Sequence, residues 1–152
     1  MQWKTHLAIG LAVALFFAPH VTEPILFVPI VLFSSLFPDV DSGFSYIGKN
    51  PFAKPVQMTT SHRGIVHSYT FCAALSILIA FLFPVAALPF FLGYSFHLFA
   101  DAFTVQGIRP FWPFKGISKG FIKSGGITDK VIFYTLLIVD LVLIVVMIFS
   151  PF

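Results

Sequence analysis

Two stretches of 19 residues, Ile65 to Phe83 and Val131 to Phe149, hold almost nothing that water would stabilise. The first is interrupted only by His67 and a few hydroxyls, the second only by Asp140. A helix needs about 20 apolar residues to cross the hydrocarbon core of a bilayer, so both read as membrane spans. In lipid the backbone must satisfy its own hydrogen bonds, which makes helices the expected solution for such runs. A third span is expected from about Val85 to Thr104. Pro84 and Pro89 punctuate its beginning, and it finishes with His97 and Asp101.

The segments Leu7 to Ala18 and Ile25 to Phe37 are apolar but shorter, and Pro19, His20, Thr22, Glu23 and Pro24 separate them. They read as two short tilted spans, or as a hairpin that dips in and returns. In both cases His6 and Asp39 emerge on the same side. The first segment is not read as a signal peptide, because no A-x-A-type site precedes a polar mature region. The expectation is a single all-α domain over residues 1–152, an integral membrane bundle of about five transmembrane helices.

Composition agrees with a lipid environment. Apolar types make up 58% of the 152 residues and charged ones only 10%. A soluble domain carries about 25% charge, and a disordered chain is poor in apolar residues. The single cysteine, Cys72, excludes a disulfide framework and a cysteine-based zinc finger. A net charge of +3 is too small to suggest a nucleic-acid partner. Its placement matters more. Lys4 precedes the first segment. Lys49, Lys54 and Arg63 lie in or just after the loop from Pro38 to Ser61. Arg109, Lys115, Lys119, Lys123 and Lys130 lie in or just after the loop from Val105 to Thr128. The connections expected on the other side carry no Lys or Arg. The positive-inside rule then predicts a multi-pass inner-membrane protein with a cytoplasmic N-terminus and an external C-terminus.

The loop Gly107 to Gly126 mixes Phe111, Trp112, Phe114 and Phe121 with its basic residues, which suits the lipid headgroup zone. A plain solvated loop is the simpler alternative.

Ionisable groups in or beside spans are expensive, and here they cluster. His6 opens the first segment. Asp39 and Asp41 follow the second. His62, Arg63 and His67 open the third, and His97 and Asp101 close the fourth. By the topology above, all lie at the cytoplasmic ends of the helices. Imidazole and carboxylate together are ligands for zinc, manganese or iron. His97 and Asp101 are four apart and share one helix face. Residues from several helix ends can complete a site in a bundle core that holds one or two divalent ions, zinc first among them. His62 and His67 are five apart, about 140° around an ideal helix, so both cannot point at one ion from a regular helix. Thr60 or Ser61 could cap that helix and leave His62 in a frayed first turn. Otherwise one histidine is a ligand and the other binds substrate or acts as an acid. Each residue also has a plainer role. His6 could be interfacial, Asp39 and Asp41 could cap a turn, and His97 and Asp101 could be a structural pair. Their coincidence on one face favours a metal. Asp140 lies mid-span, where a hydroxyl of a neighbouring helix is its expected partner.

At these residues the sequence resembles a family. Thr5-His6, Pro38-Asp39-x-Asp41, His62-Arg63-Gly64-x-x-His67-Ser68 and Gly93-x3-His97-x3-Asp101 resemble the YdjM family of inner-membrane proteins. The resemblance runs from Thr5 to about Phe114. It implies a metal-dependent hydrolase, and some members are called LexA-binding. The order of ligands is also similar to the zinc-dependent phospholipase C and P1 nuclease group, which cleave phosphoesters with a zinc cluster. Carried over by order, His6, Asp39, His62 or His67, His97 and Asp101 would be the metal ligands. No histidine follows Asp101, so one or two ions are expected rather than three.

The chemistry expected is hydrolysis of a phosphoester at the cytoplasmic face, with a membrane lipid as one candidate substrate. Arg63, His67 and Asp41 are the candidate catalytic residues, with Arg63 suited to a phosphate. Two rival classes make different demands. A metal or proton carrier needs ionisable groups near the midplane, where only Asp140 lies. A non-enzymatic membrane anchor for a soluble regulator needs none of the clustered ligands.

Overall fold

Residues 1–41 and 64–149 are described by the computed structural model. Among them run α1 (Trp3–Phe17), α2 (Pro24–Ser34), α3 (Tyr69–Leu82), α4 (Pro84–Ala102) and α5 (Ile127–Phe149). Single 3-10 turns follow α1 at Ala18–His20 and α2 at Phe37–Asp41.

Local chemistry sets most of these limits. Pro24 and Pro84 stand at the first positions of α2 and α4, where the missing N–H would have had no helical partner. Pro84 also disfavours helix in the residue before it, and Phe83 is accordingly non-helical at φ −145°, ψ 76°. α3 begins late because Ser68 caps it. Its hydroxyl accepts the Phe71 N–H at 3.2 Å and donates to the Ile65 carbonyl at 2.6 Å. The start of α1 lacks a cap from its own Gln2 side chain. Asp129 of α5 supplies one instead, accepting from the Gln2 N–H, the Thr5 hydroxyl and the Gly125 N–H.

These limits overturn the expected count of about five transmembrane helices. Among the described residues only α4, with 19 residues, and α5, with 23, are long and apolar enough to cross a membrane. At 1.5 Å per residue they reach about 28 and about 34 Å, against a hydrocarbon core of about 30 Å. α1, α2 and α3 have 15, 11 and 14 residues. They reach only about 22, 16 and 21 Å. The expected span from Ile65 loses its first turn to the Ser68 cap. The run from Ile25 stops at Ser34, where the Ser34 and Ser35 hydroxyls turn back onto the Val31 and Leu32 carbonyls.

α4 is the central helix. It packs against α2 and α3 and touches α1, while α5 lies outside and is held by α1. Two apolar clusters fill the interior. Val66, Cys72, Phe90, Tyr94, Leu98 and Ile108 form one, and Val13, Ala14, Phe27 and Val31 the other. Glycine lets α2 sit close to its neighbours. A Cβ on Gly93 would overlap the Ser34 hydroxyl and the Val31 carbonyl, and one on Gly10 would stand 2.6 Å from Ser35 Oγ. α5 buries only Asp129 and Asp140. The rest of its surface is the apolar face that lipid would solvate.

Candidate metal centre

The close approach of α2 to α4 brings the Ser35 carbonyl, one of the unpaired carbonyls at a helix C-terminus, onto His97. His97 Nδ1 lies 2.8 Å from that oxygen. A carbonyl only accepts, so Nδ1 carries the hydrogen and the neutral ring presents the Nε2 lone pair. His97 is fully buried, and among the described residues its Nε2 has no hydrogen-bond partner. Nε2 stands 3.8 Å from Asp39 Oδ1 and 3.9 Å from Asp101 Oδ2.

His67 Nε2 is 3.9 Å from the same two carboxylates. His67 belongs to the turn before α3, so it reaches the centre from a non-helical backbone. His6 enters from the first turn of α1 and stacks on His97, with ring centroids 3.8 Å apart and planes 17° from parallel. Its Nε2 is 3.3 Å from Asp101 Oδ1, and neither ring nitrogen makes an aligned hydrogen bond among the described residues. The Met1 amino group also contacts Asp101 Oδ1. Asp39 reaches in from the 3-10 turn. Burial pushes its carboxyl above the ordinary range, while His6 and His67 pull the other way.

Separations of 3.8 to 3.9 Å are too long for hydrogen bonds. They match donors arranged around one ion, since ligands at about 2.0–2.2 Å from zinc stand about 3–4 Å from each other. Two triads have all their donor atoms within 4.8 Å of one another: His6, Asp39, His97, and His67, His97, Asp101. The buried ring nitrogens of His6 and Nε2 of His97, with no hydrogen-bond partner among the described residues, and the mixed N/O donor set both fit a divalent metal ion. His97 belongs to both triads, and Nδ1 is already committed to Ser35. It therefore has one donor atom to give.

The structure thus brings together His6, Asp39, His67, His97 and Asp101. His62, Arg63 and the Asp41 side chain lie outside the described residues. Asp140 is apart from the centre. It is buried beside Leu7, Ala8 and Leu11 of α1, and its expected hydroxyl partner is not found among the described residues.

The model of the YdjM inner membrane protein family matches residues 1–150. The chain belongs to this family. No curated protein and no solved structure shows a match. The similarity to phospholipase C and P1 nuclease has no support beyond the YdjM match. As a YdjM-family chain it is an inner-membrane protein, and its two membrane-length helices agree with that.

Two residues that support the candidate centre were not read from the sequence. Ser35 acts through a backbone carbonyl, which no side-chain pattern reveals. Asp129 does carry a signal: an acidic residue just after Gly125-Gly126 and before a long apolar run marks a helix start. What does not show in the sequence is that its carboxylate also caps α1.

Proposed function

We propose that this protein is a metal-dependent hydrolase of phosphoesters, with its centre at the cytoplasmic face of the membrane. The observation that carries the reading is His97. A fully buried imidazole is oriented by a backbone carbonyl so that its free nitrogen faces two carboxylates and a second histidine. A metal-ligating histidine is commonly held in this way, its other ring nitrogen donating to a carbonyl or carboxylate.

His6, Asp39, His67, His97 and Asp101 would hold one ion per chain, because both triads need the same His97 nitrogen. Three imidazoles with carboxylates suit zinc, with manganese and iron the other candidates. Bound there, the ion supplies Lewis-acid polarisation of the ester and activation of water. The protein's own groups do the rest. Ser35 fixes the tautomer of His97, and the stacked His6 ring closes one side of the centre. Arg63 takes the substrate phosphate, since guanidinium pairs with its oxygens and does not ligate a cation. Asp41 and His62 would serve as proton carriers. The basic residues between α4 and α5 support a cytoplasmic placement and an anionic substrate.

The test is purification in detergent, metal analysis, and assay with generic phosphoesters before and after chelation. One equivalent of transition metal, with turnover that chelation removes and metal restores, is the expected result. A chain that retains no metal and hydrolyses nothing overturns the proposal and leaves the anchor reading.

A further inference from the structure

The segment joining α4 to α5 carries a surface that the metal centre does not use. There is no acidic residue between Asp101 and Asp129, while Arg109, Lys115, Lys119 and Lys123 are all exposed. Among them stand Phe111, Phe114, Ile117 and Phe121, which are 64%, 74%, 51% and 80% exposed. Water does not favour four such side chains on one short segment, and monomeric soluble surfaces rarely gather them.

The segment is ordered, so this display is built and not incidental. Ile108 and Ile122 are buried beneath it. Bridges join Thr104 to Ile122 and Ile108 to Ser118. The Pro110 carbonyl accepts the Tyr69 N–H at 2.8 Å, tying the segment to the start of α3. Gly107 turns the chain at φ 67°, with the Thr104 hydroxyl accepting its N–H. Both ends of the segment continue into the two helices of membrane length, so it is held at a bilayer surface at both sides.

We propose that residues 103–126 form a docking platform for the anionic surface of the bilayer. Phe111, Phe114, Ile117 and Phe121 enter the boundary between headgroups and acyl chains. Arg109, Lys115, Lys119 and Lys123 pair with anionic headgroups, as interfacial amphipathic elements do. Charge complementarity and the continuity with α4 and α5 favour lipid over a soluble protein or a second copy. The platform needs no metal, so it stands or falls separately from the hydrolase reading.

The chain has two tryptophans, Trp3 and Trp112. A Trp3→Phe variant leaves Trp112, beside Phe111, as the sole reporter on the platform. The protein is placed in nanodiscs of phosphatidylcholine with or without phosphatidylglycerol, with acyl chains brominated near the glycerol. Brominated chains are expected to remove most of the Trp112 emission in the anionic discs and less in the neutral ones. Aqueous acrylamide should quench little in the anionic discs. Combined Lys115→Glu, Lys119→Glu and Lys123→Glu should bring the anionic-disc result to the neutral-disc level or below. All three sites are exposed, so folding should survive, and an unchanged thermal midpoint in detergent checks it. Quenching by acrylamide alone in both discs overturns the proposal in favour of a soluble partner. Equal quenching by lipid in both discs overturns the anionic preference. Protection from both quenchers, with two chains per disc by mass, assigns the face to a second copy.

Discussion

At the scale of single residues, the centre was legible because ionisable side chains are so few in this chain. His6, Asp39, His67, His97 and Asp101 could be picked out before any fold was known, and the structure places them around one another. What orients them was not legible, since the Ser35 carbonyl that sets His97 is a backbone group like any other. Two predictions belong here. Asp101→Asn keeps the volume and removes a charge that would balance the ion. Metal affinity should fall by about 100-fold or more, the upper range already seen on loss of an outer-shell partner. Metal content by mass spectrometry and phosphoester turnover should fall together, with membrane insertion unchanged. Asp39 gives a pH signature. Burial raises its carboxyl, so the folded metal-free chain holds that proton to higher pH than the unfolded chain does. Stability linked to the proton is fully present below the unfolded value and is lost as pH rises through the folded one. This carboxyl's contribution to the thermal midpoint of metal-free protein should therefore decline as pH rises out of the ordinary carboxylate range. Asp39→Asn should flatten that decline and raise the midpoint at neutral pH, while binding metal poorly. A variant that keeps the wild-type slope would remove Asp39 from the account.

At the scale of elements, hydropathy found the two membrane-length helices, α4 and α5, to within a few residues. It overestimated the rest because apolar runs do not show where side chains compete with the backbone. Ser68 takes the first turn from the third expected span, and Ser34 and Ser35 stop α2. The same serines make the α2–α4 contact close, and Gly93 is the residue that permits it. Gly93→Ala should force α2 away from α4 at the point where Ser35 meets His97. Overpacking of this kind costs about 1–3 kcal/mol. A lowered thermal midpoint together with weaker metal binding is expected, whereas Gly116→Ala, with nothing within 4 Å, should change neither. A lowered midpoint with full metal affinity would mean that the Ser35 carbonyl does not depend on this packing. Asp129 joins α1 to α5 through three donors. Asp129→Ala leaves them without their acceptor, at about 1–3 kcal/mol for each that stays buried and unpaired. Asp129→Asn keeps one acceptor oxygen and should fall between wild type and alanine in thermal midpoint.

At the scale of the whole molecule, the candidate metal centre, the basic segment and the junction of the two membrane-length helices share one end. His97 and Asp101 lie in the last two turns of α4, and α5 leaves from the other side of the same segment. Wherever that segment resides, the centre resides too, so one orientation measurement places both. Arg109, Lys115, Lys119 and Lys123 favour the cytoplasmic side, since translocating a short loop with four cations is disfavoured. With that orientation α5 would carry the chain across once, and Phe149 at its far end would emerge outside. Cys72 is fully buried, so single cysteines can be introduced above a low background. In intact cells an impermeant maleimide should miss Lys119→Cys and label Phe149→Cys, and lysis should expose the first. Labelling of Lys119→Cys from outside would invert the molecule. It would place the centre on the external face and remove cytoplasmic phosphoesters as substrates, while leaving the candidate ligands as they are. Orientation and metal binding are therefore separable, and only the substrate side of the proposal depends on both.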